Sequence, residues 1–321
     1  MSLKVFITGG SGFLGQEIVK FLVDNGHEVL SLSRSPASAA KLQQIGSFPV
    51  NGDMHQVKQW KSALSGMDVV IHAADPMVFW APWKFYHNSV IKPAMDLYKA
   101  ACDYGVKRFI FISSDAALQG MKDLIDVDES APYPLFINSF YGKAKMTVEK
   151  FLLSTHGTTQ AVIIRPTFIW GRGGKGTEGI IAEMKSENFF WINHGKALFE
   201  AVHVRNAAYA VYLAVTFPQN LHRQVFMVTD DATYTVKEFF TQLAHRRGII
   251  PGNKNISSLR AYTRAIAEET LSKISGYRYQ PAIKRIDVAF KAMNKKYRID
   301  KIKKILGYKP IVSRQQGFEQ I

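Results

Sequence analysis

A chain of 321 residues that is 47% apolar and 21% charged has room for two domains or one large α/β unit, and that balance excludes general disorder. A single cysteine, Cys102, excludes an internal disulfide and a cysteine-built zinc site, and no apolar run approaches the length of a membrane span. The net charge of +15 is uneven: from Arg246 to Lys309 there are 17 Lys and Arg against four acids, a field that attracts anionic partners and is otherwise a solvated basic face.

The N-terminus runs straight into a strand-like segment, Leu3–Thr8, with no signal-peptide layout; together with the lone cysteine this points to a cytoplasmic setting. A glycine-rich turn follows, then a helical pattern over Phe13–Asp24 that puts Phe13, Ile18, Phe21 and Leu22 on one side and stops at Asn25-Gly26. Glu28–Ser33, Val69–His72 and Arg108–Ser113 read as strands, with a helix predicted over Tyr86–Tyr104. A further helix starts at Tyr141 and runs to about Leu153, and Ala161–Arg165 is the next strand. Gly171–Gly179, with five glycines in nine residues, reads as a loop leaving the sheet. Helix Arg205–Phe217 and strand Gln224–Val228 bring the chain back. This alternation predicts an α/β fold with a doubly wound parallel sheet. The dinucleotide-binding part is expected over residues 1–170 plus 203–228, and a smaller, mainly helical substrate domain over 171–202 plus 229–321.

The turn Thr8-Gly9-Gly10-Ser11-Gly12-Phe13-Leu14-Gly15 lies between the first strand and the first helix. There, glycines 9, 12 and 15 suit a tight turn, close approach to phosphates and close helix–strand packing. The helix N-terminus adds free N–H groups for a pyrophosphate. The second strand ends in Ser33-Arg34-Ser35, with no acid to hold ribose hydroxyls. Ser33 and Arg34 can instead hydrogen-bond and neutralise a 2′-phosphate, which favours NADP over NAD.

Tyr141 and Lys145 are four apart in Tyr141-Gly142-Lys143-Ala144-Lys145 and so share one helical face, about 6 Å apart along the axis. An ammonium beside a phenol stabilises the phenolate. Lowering the phenol pKa from about 10 to about 7 takes roughly 4 kcal/mol, and a nearby cofactor charge can share it. Ser113-Ser114 ends the preceding strand, where α/β sheets build their sites.

With these elements in order, the chain resembles the extended short-chain dehydrogenase/reductase family over nearly its whole length, and specifically its 3β-hydroxysteroid dehydrogenase-like branch. The resemblance implies a Rossmann sheet in which Ser114, Tyr141 and Lys145 form the catalytic triad and Lys145 also holds the nicotinamide ribose. It implies a cofactor site of Gly9, Gly12, Phe13, Leu14, Ser33, Arg34, Asp53 and Met54 on the adenosine side. On the nicotinamide side it implies Ala73, Ala74, Tyr141, Lys145, Pro166 and Thr167, with Asn88 supporting the lysine. Val202-His203-Val204-Arg205-Asn206 and Leu306-Gly307-Tyr308-Lys309-Pro310 match the family's return and end segments, although relatives commonly carry aspartate where this chain has Arg205. His203 has no metal partners in its motif and reads as a hydrogen-bonded structural histidine; no metal is expected.

Five aromatics stand in the eight residues Phe79–Tyr86, some packing against the sheet and together suggesting an apolar pocket wall. The expected reaction is hydride transfer between a secondary alcohol and a ketone on an apolar, steroid-like or β-keto-acyl-like substrate, with or without an anionic group, with Tyr141 as the acid/base. Sugar dehydration is disfavoured because Ala116 stands where the sugar dehydratases carry an acid. A nucleotide-sugar epimerase and an idle NADP-binding sensor are the alternatives. A homodimer is implied, with helices Tyr86–Tyr104 and Tyr141–Leu153 packing across a twofold axis. No nucleic-acid partner is expected. Ile256, Leu259, Tyr262, Ile266 and Ile274 fall at roughly helical spacing. Packing of that stretch against the second domain is favoured over a substrate lid or a membrane-touching surface.

Overall fold

The computed structural model describes residues 2–321. Seven strands form one parallel sheet: β1 (Lys4–Thr8), β2 (Glu28–Ser33), β3 (Phe48–Asn51), β4 (Val69–His72), β5 (Arg108–Ile112), β6 (Gln160–Pro166) and β7 (Gln224–Val228). Their spatial order is β7-β6-β5-β4-β1-β2-β3, so the winding reverses between β1 and β4. At that reversal the connections leave in opposite directions and open a crevice at the carboxyl ends of the strands.

Alternation along β1 sorts its side chains between two cores. Val5 and Ile7 face the layer with helices Phe13–Asp24 and Val204–Thr216; Phe6 faces the layer with helices Lys92–Asp103 and Phe140–Leu153. A third core gathers Trp170, Phe199, Phe239 and Phe240 beyond the sheet. The end of the chain returns: strand Lys295–Tyr297 pairs in parallel with Leu124–Val127, and Tyr297, Ile299, Ile302, Leu306 and Tyr308 join the first core. Among the described residues no helix is long and apolar enough to cross a membrane, and no group of His, Cys, Asp and Glu could hold a metal ion.

The structure differs from the sequence expectations in four places. Helix Pro36–Gln44 and strand β3 were not anticipated, because both are short and weakly patterned. The helix expected over Tyr86–Tyr104 begins at Trp83 and passes through a π turn at His87–Ile91 before Lys92–Asp103. That turn lies just ahead of Pro93, whose missing N–H leaves a rung of the helical ladder open. The glycine-rich loop is shorter than expected: Gly176 and Gly179 lie inside helix Lys175–Lys185, where a Cβ on Gly176 would come within 3.0 Å of the Phe168 ring. Finally, helix Ser258–Ile274 does not bury the apolar residues expected to hold it in place. Leu259, Ile266 and Ile274 are exposed, and only Ile256 and Tyr262 reach the small core around Ala261, Ala265 and Val288.

Candidate active site

The glycine turn is shaped by contact with the exit of β4. Gly9 has φ +77°, and a Cβ there would sit 2.5 Å from Ala74 N; a Cβ on Gly15 would sit 2.0 Å from Gly9 O. Ala73 N donates to Thr8 O at 3.0 Å, and Thr8 Oγ1 lies 2.7 Å from His72 Nδ1, which ties the two strand ends together. Burial, and then the charge of Lys145, pushes His72 down to about 3, so this imidazole is neutral. The helix after the turn has Gly12 at its N-cap, no capping side chain and no acid in its first turn. The leading amides of Phe13 and Leu14 therefore have no side-chain partner, which fits a phosphate at the helix N-terminus.

On the adenosine side, Arg34 is exposed and makes no ion pair among the described residues. The hydroxyl of Ser33 is buried and engaged by Ser38 Oγ and, at 3.1 Å, by Ser35 O, so Arg34 is the free group at the end of β2. Asp53 accepts His55 N at 2.8 Å and, through its carbonyl, Trp60 Nε1 at 2.8 Å; this fixes the Asp53–Met54 turn beside β3.

The candidate catalytic residues Ser114, Tyr141 and Lys145 converge where helix Phe140–Leu153 meets the exit of β5. Ser139 Oγ caps the helix by accepting Gly142 N at 3.1 Å. Gly142 permits the approach: a Cβ there would lie 2.4 Å from Ala116 O, in the turn Asp115–Leu118. This close passage sets Tyr141 against the turn that starts at Ser114, whose hydroxyl donates to Asp115 Oδ1 at 3.2 Å and accepts Ala116 N at 3.1 Å. Ser113, the other half of the serine pair, has a buried hydroxyl without a partner. The Phe79 and Tyr141 ring centroids lie 5.1 Å apart in a steeply tilted, T-shaped contact, and Trp83, Phe85 and Tyr86 pack into the second core.

Lys145 is buried. Its ammonium donates to Ile112 O at 2.9 Å, pairs with Asp75 Oδ2 at 2.7 Å and stands 5.8 Å from the centroid of the Tyr141 ring. Asp75 was not singled out in the sequence. It is one residue past Ala74, in the loop after β4, where its other oxygen accepts Met77 N at 2.7 Å and Met77 takes φ +50°. The consequence for the phenol reverses the sequence expectation. Burial first, then the charges of Asp75 and Asp115, hold Tyr141 well above its ordinary range, outweighing the opposing influence of the nearby Ser114 hydroxyl. Asn88 is not brought to the lysine: its side chain is exposed and lies 3.2 Å from His87 Nδ1.

Two buried charge networks hold these elements in register. Arg165, at the end of β6, makes a bidentate pair with Glu149 on helix Phe140–Leu153, with contacts of 2.6 and 2.9 Å, and Tyr133 OH donates to the same carboxylate at 2.8 Å. Pro166 and Thr167 follow directly and are buried, with Thr167 N donating to Val228 O at 3.1 Å. Asp230, just past β7, accepts His203 N at 2.8 Å, Trp170 Nε1 at 2.7 Å and Asn206 Nδ2 at 2.6 Å. His203 is the buried, structurally bonded residue expected, and burial lowers it to about 4.

This architecture and these motifs have close counterparts. The chain is 27% identical to a sterol-4-alpha-carboxylate 3-dehydrogenase (decarboxylating) of Dictyostelium discoideum, covering 99% of both chains. It is 29% identical to a 4-hydroxy-2-methyl-3-oxo-4-farnesyl-3,4-dihydroquinoline-1-oxide ketoreductase of Stigmatella aurantiaca, over 99% of this chain and 96% of the relative. Among solved structures, gox2253 superposes with a TM-score of 0.81 at 21% identity over 98% and 96% of the two chains. A UDP-glucuronic acid 4-epimerase from Bacillus cereus, in complex with NAD, superposes with 0.76 at 16% over 99% and 97%. At these identities the structures show a shared fold. The model of the NAD dependent epimerase/dehydratase family matches residues 5–228, and the chain belongs to that family.

Proposed function

We propose that the chain is an NADP-dependent oxidoreductase that reduces a ketone to a secondary alcohol on an apolar substrate. The observation that carries this reading is the buried Tyr141 side chain, with the Lys145 ammonium 5.8 Å from its ring centroid and the Phe79 ring packed against it, beside the turn that starts at Ser114. When bound, the nicotinamide supplies the hydride. Gly9, Gly12, Phe13 and Leu14 would hold the pyrophosphate, Arg34 the 2′-phosphate, and Lys145 the ribose beside the nicotinamide. Ser114 donates a hydrogen bond to the substrate oxygen, and Tyr141 delivers the proton to that oxygen as charge develops on it. A phenol held above its ordinary range is fully protonated at neutral pH, which suits the reductive direction.

The named activities of the sterol and quinoline relatives support an apolar ketone or alcohol as the substrate class. Ala116, at a turn position without acid/base capacity, argues against dehydration, and the acid-free end of β2 argues against an NAD-recycling epimerase. On this reading residues 171–202 and 229–321 supply the substrate side, except the stretch from Tyr297 to Tyr308, which packs in the main-sheet core. A screen of steroid and 3-oxoacyl ketones for NADPH oxidation tests the proposal. Turnover with a strong preference for NADPH, relaxed toward NADH in Arg34→Ala, is expected. Binding of cofactor without turnover on any ketone would mean a sensor instead.

A further inference from the structure

Helix Ser258–Ile274 is amphipathic in the inverted sense. Its inward face carries Ala261, Ala265, Glu269 and Ser272, all buried. Its large apolar residues point outward: Leu259 is 72% exposed, Ile266 42%, Leu271 59% and Ile274 79%. At 100° per residue, Leu259, Ile266 and Ile274 fall within a single arc of about 80° that also holds Thr263 and Thr270. Arg260 and Lys273 flank that arc and are exposed, whereas Arg264 lies further round the helix and is paired with Glu268. No free acid shares the arc. Glu268 is taken up by Arg264 at 2.7 Å and by the amides of Ala282 and Ile283, and Glu269 is buried against Arg285 at 2.8 Å. Large aliphatic side chains left open to water along one helix face, spaced by threonines, suit an interaction surface.

The helix also adjoins the site. Trp80 Nε1 donates to Ser272 Oγ at 2.9 Å and Lys273 Nζ stands 5.5 Å from the Trp80 ring, while the preceding residue, Phe79, abuts Tyr141. Exposed Met77 lies on the same loop, and exposed Leu135 and Phe136 lie on the segment that leads into helix Phe140–Leu153.

We propose that this face docks the chain on an anionic lipid bilayer, with the leucine and isoleucine side chains entering the headgroup boundary and the flanking cations meeting lipid phosphates. Apolar residues bordered by Arg and Lys, without acids, suit that surface. A second copy of the chain suits it poorly, because a twofold contact through this helix would set two strongly basic 246–309 stretches against each other. Docking does not rest on the reaction proposed above.

Co-sedimentation of the full chain with vesicles tests the proposal. The chain should pellet with phosphatidylcholine vesicles containing phosphatidylglycerol at a partition coefficient at least ~10-fold above that with phosphatidylcholine alone, and high salt should release it. The triple variant Leu259→Ser, Ile266→Ser, Ile274→Ser should keep the wild-type melting temperature, since those side chains are exposed, and should lose vesicle binding. Absence of pelleting with anionic vesicles, equal pelleting of the triple variant, or a solution dimer that the triple variant dissociates would each overturn it. None of these readouts depends on turnover, so a failure of docking and a failure of the proposed reaction are distinguishable.

Discussion

A carboxylate 2.7 Å from the Lys145 ammonium cancels much of the field that the lysine would otherwise project onto the neighbouring phenol. The groups facing Asp75 are Lys145 and Tyr141 from helix Phe140–Leu153, His72 from β4 and Tyr86 from helix Trp83–Tyr86, and burial keeps the His72 imidazole neutral. Replacing Asp75 by asparagine removes a full negative charge beside the phenol at nearly constant shape. The phenolate then becomes easier to form, so the Tyr141 titration should move down. The same change frees the lysine for the cofactor, and NADPH should bind more tightly by about tenfold. Absorbance of tyrosinate against pH, with a Tyr141→Phe background subtracted, reads the first effect, and cofactor fluorescence reads the second. An unshifted titration would mean that the Asp75 charge does not reach the phenol.

Helix Phe140–Leu153 owes its position to contacts that lie well away from the reacting atoms. Arg165 and Glu149 are almost completely buried, and their bidentate pair locks the middle of helix Phe140–Leu153 to the end of β6. Removing one partner leaves an uncompensated charge in the core, so Glu149→Gln should cost about 3–5 kcal/mol, seen as a lower urea midpoint. An unchanged midpoint would show that the pair is not needed to hold the helix. At this scale the sequence was informative where periodicity or glycine chemistry dictates one outcome. The strands around the crevice and helix Phe13–Asp24 were legible from alternation, apolar spacing and the Asn25-Gly26 stop. Tyr141 and Lys145 were legible from their spacing of four. Asp75, Asp115 and Glu149 were not, because their partners come from elements distant in sequence and an acid in a loop or on a helix looks the same whether it is solvated or buried. Helix Ser258–Ile274 was misread for a related reason: apolar spacing shows that a helix has two faces but not which one the rest of the molecule covers.

Across the molecule, the return of the C-terminal segment to the main sheet is fastened by another buried acid. Glu200 accepts Thr233 Oγ1 at 2.8 Å and Tyr297 N at 3.2 Å, and burial pushes its carboxyl up to about 7. The folded chain therefore keeps a proton that the unfolded chain, titrating near 4.5, has released. This contribution to stability is full below about 4.5 and is lost as pH rises through about 7, a change on the order of 3 kcal/mol. Glu200→Gln should flatten the fall in thermal midpoint across that window. If the wild-type and variant profiles stay parallel, the side chain is not protonated on folding.

Tyr141, one helical turn from Lys145 and beside the turn that starts at Ser114, is the group proposed to move the proton. The most direct measurement compares wild type and Tyr141→Phe for NADPH affinity by fluorescence and for ketone reduction by loss of NADPH absorbance. The variant should bind NADPH within about twofold of wild type and reduce the ketone at least ~10²-fold more slowly, the scale of a lost general acid. Reduction by the variant at a rate close to wild type would contradict the assignment.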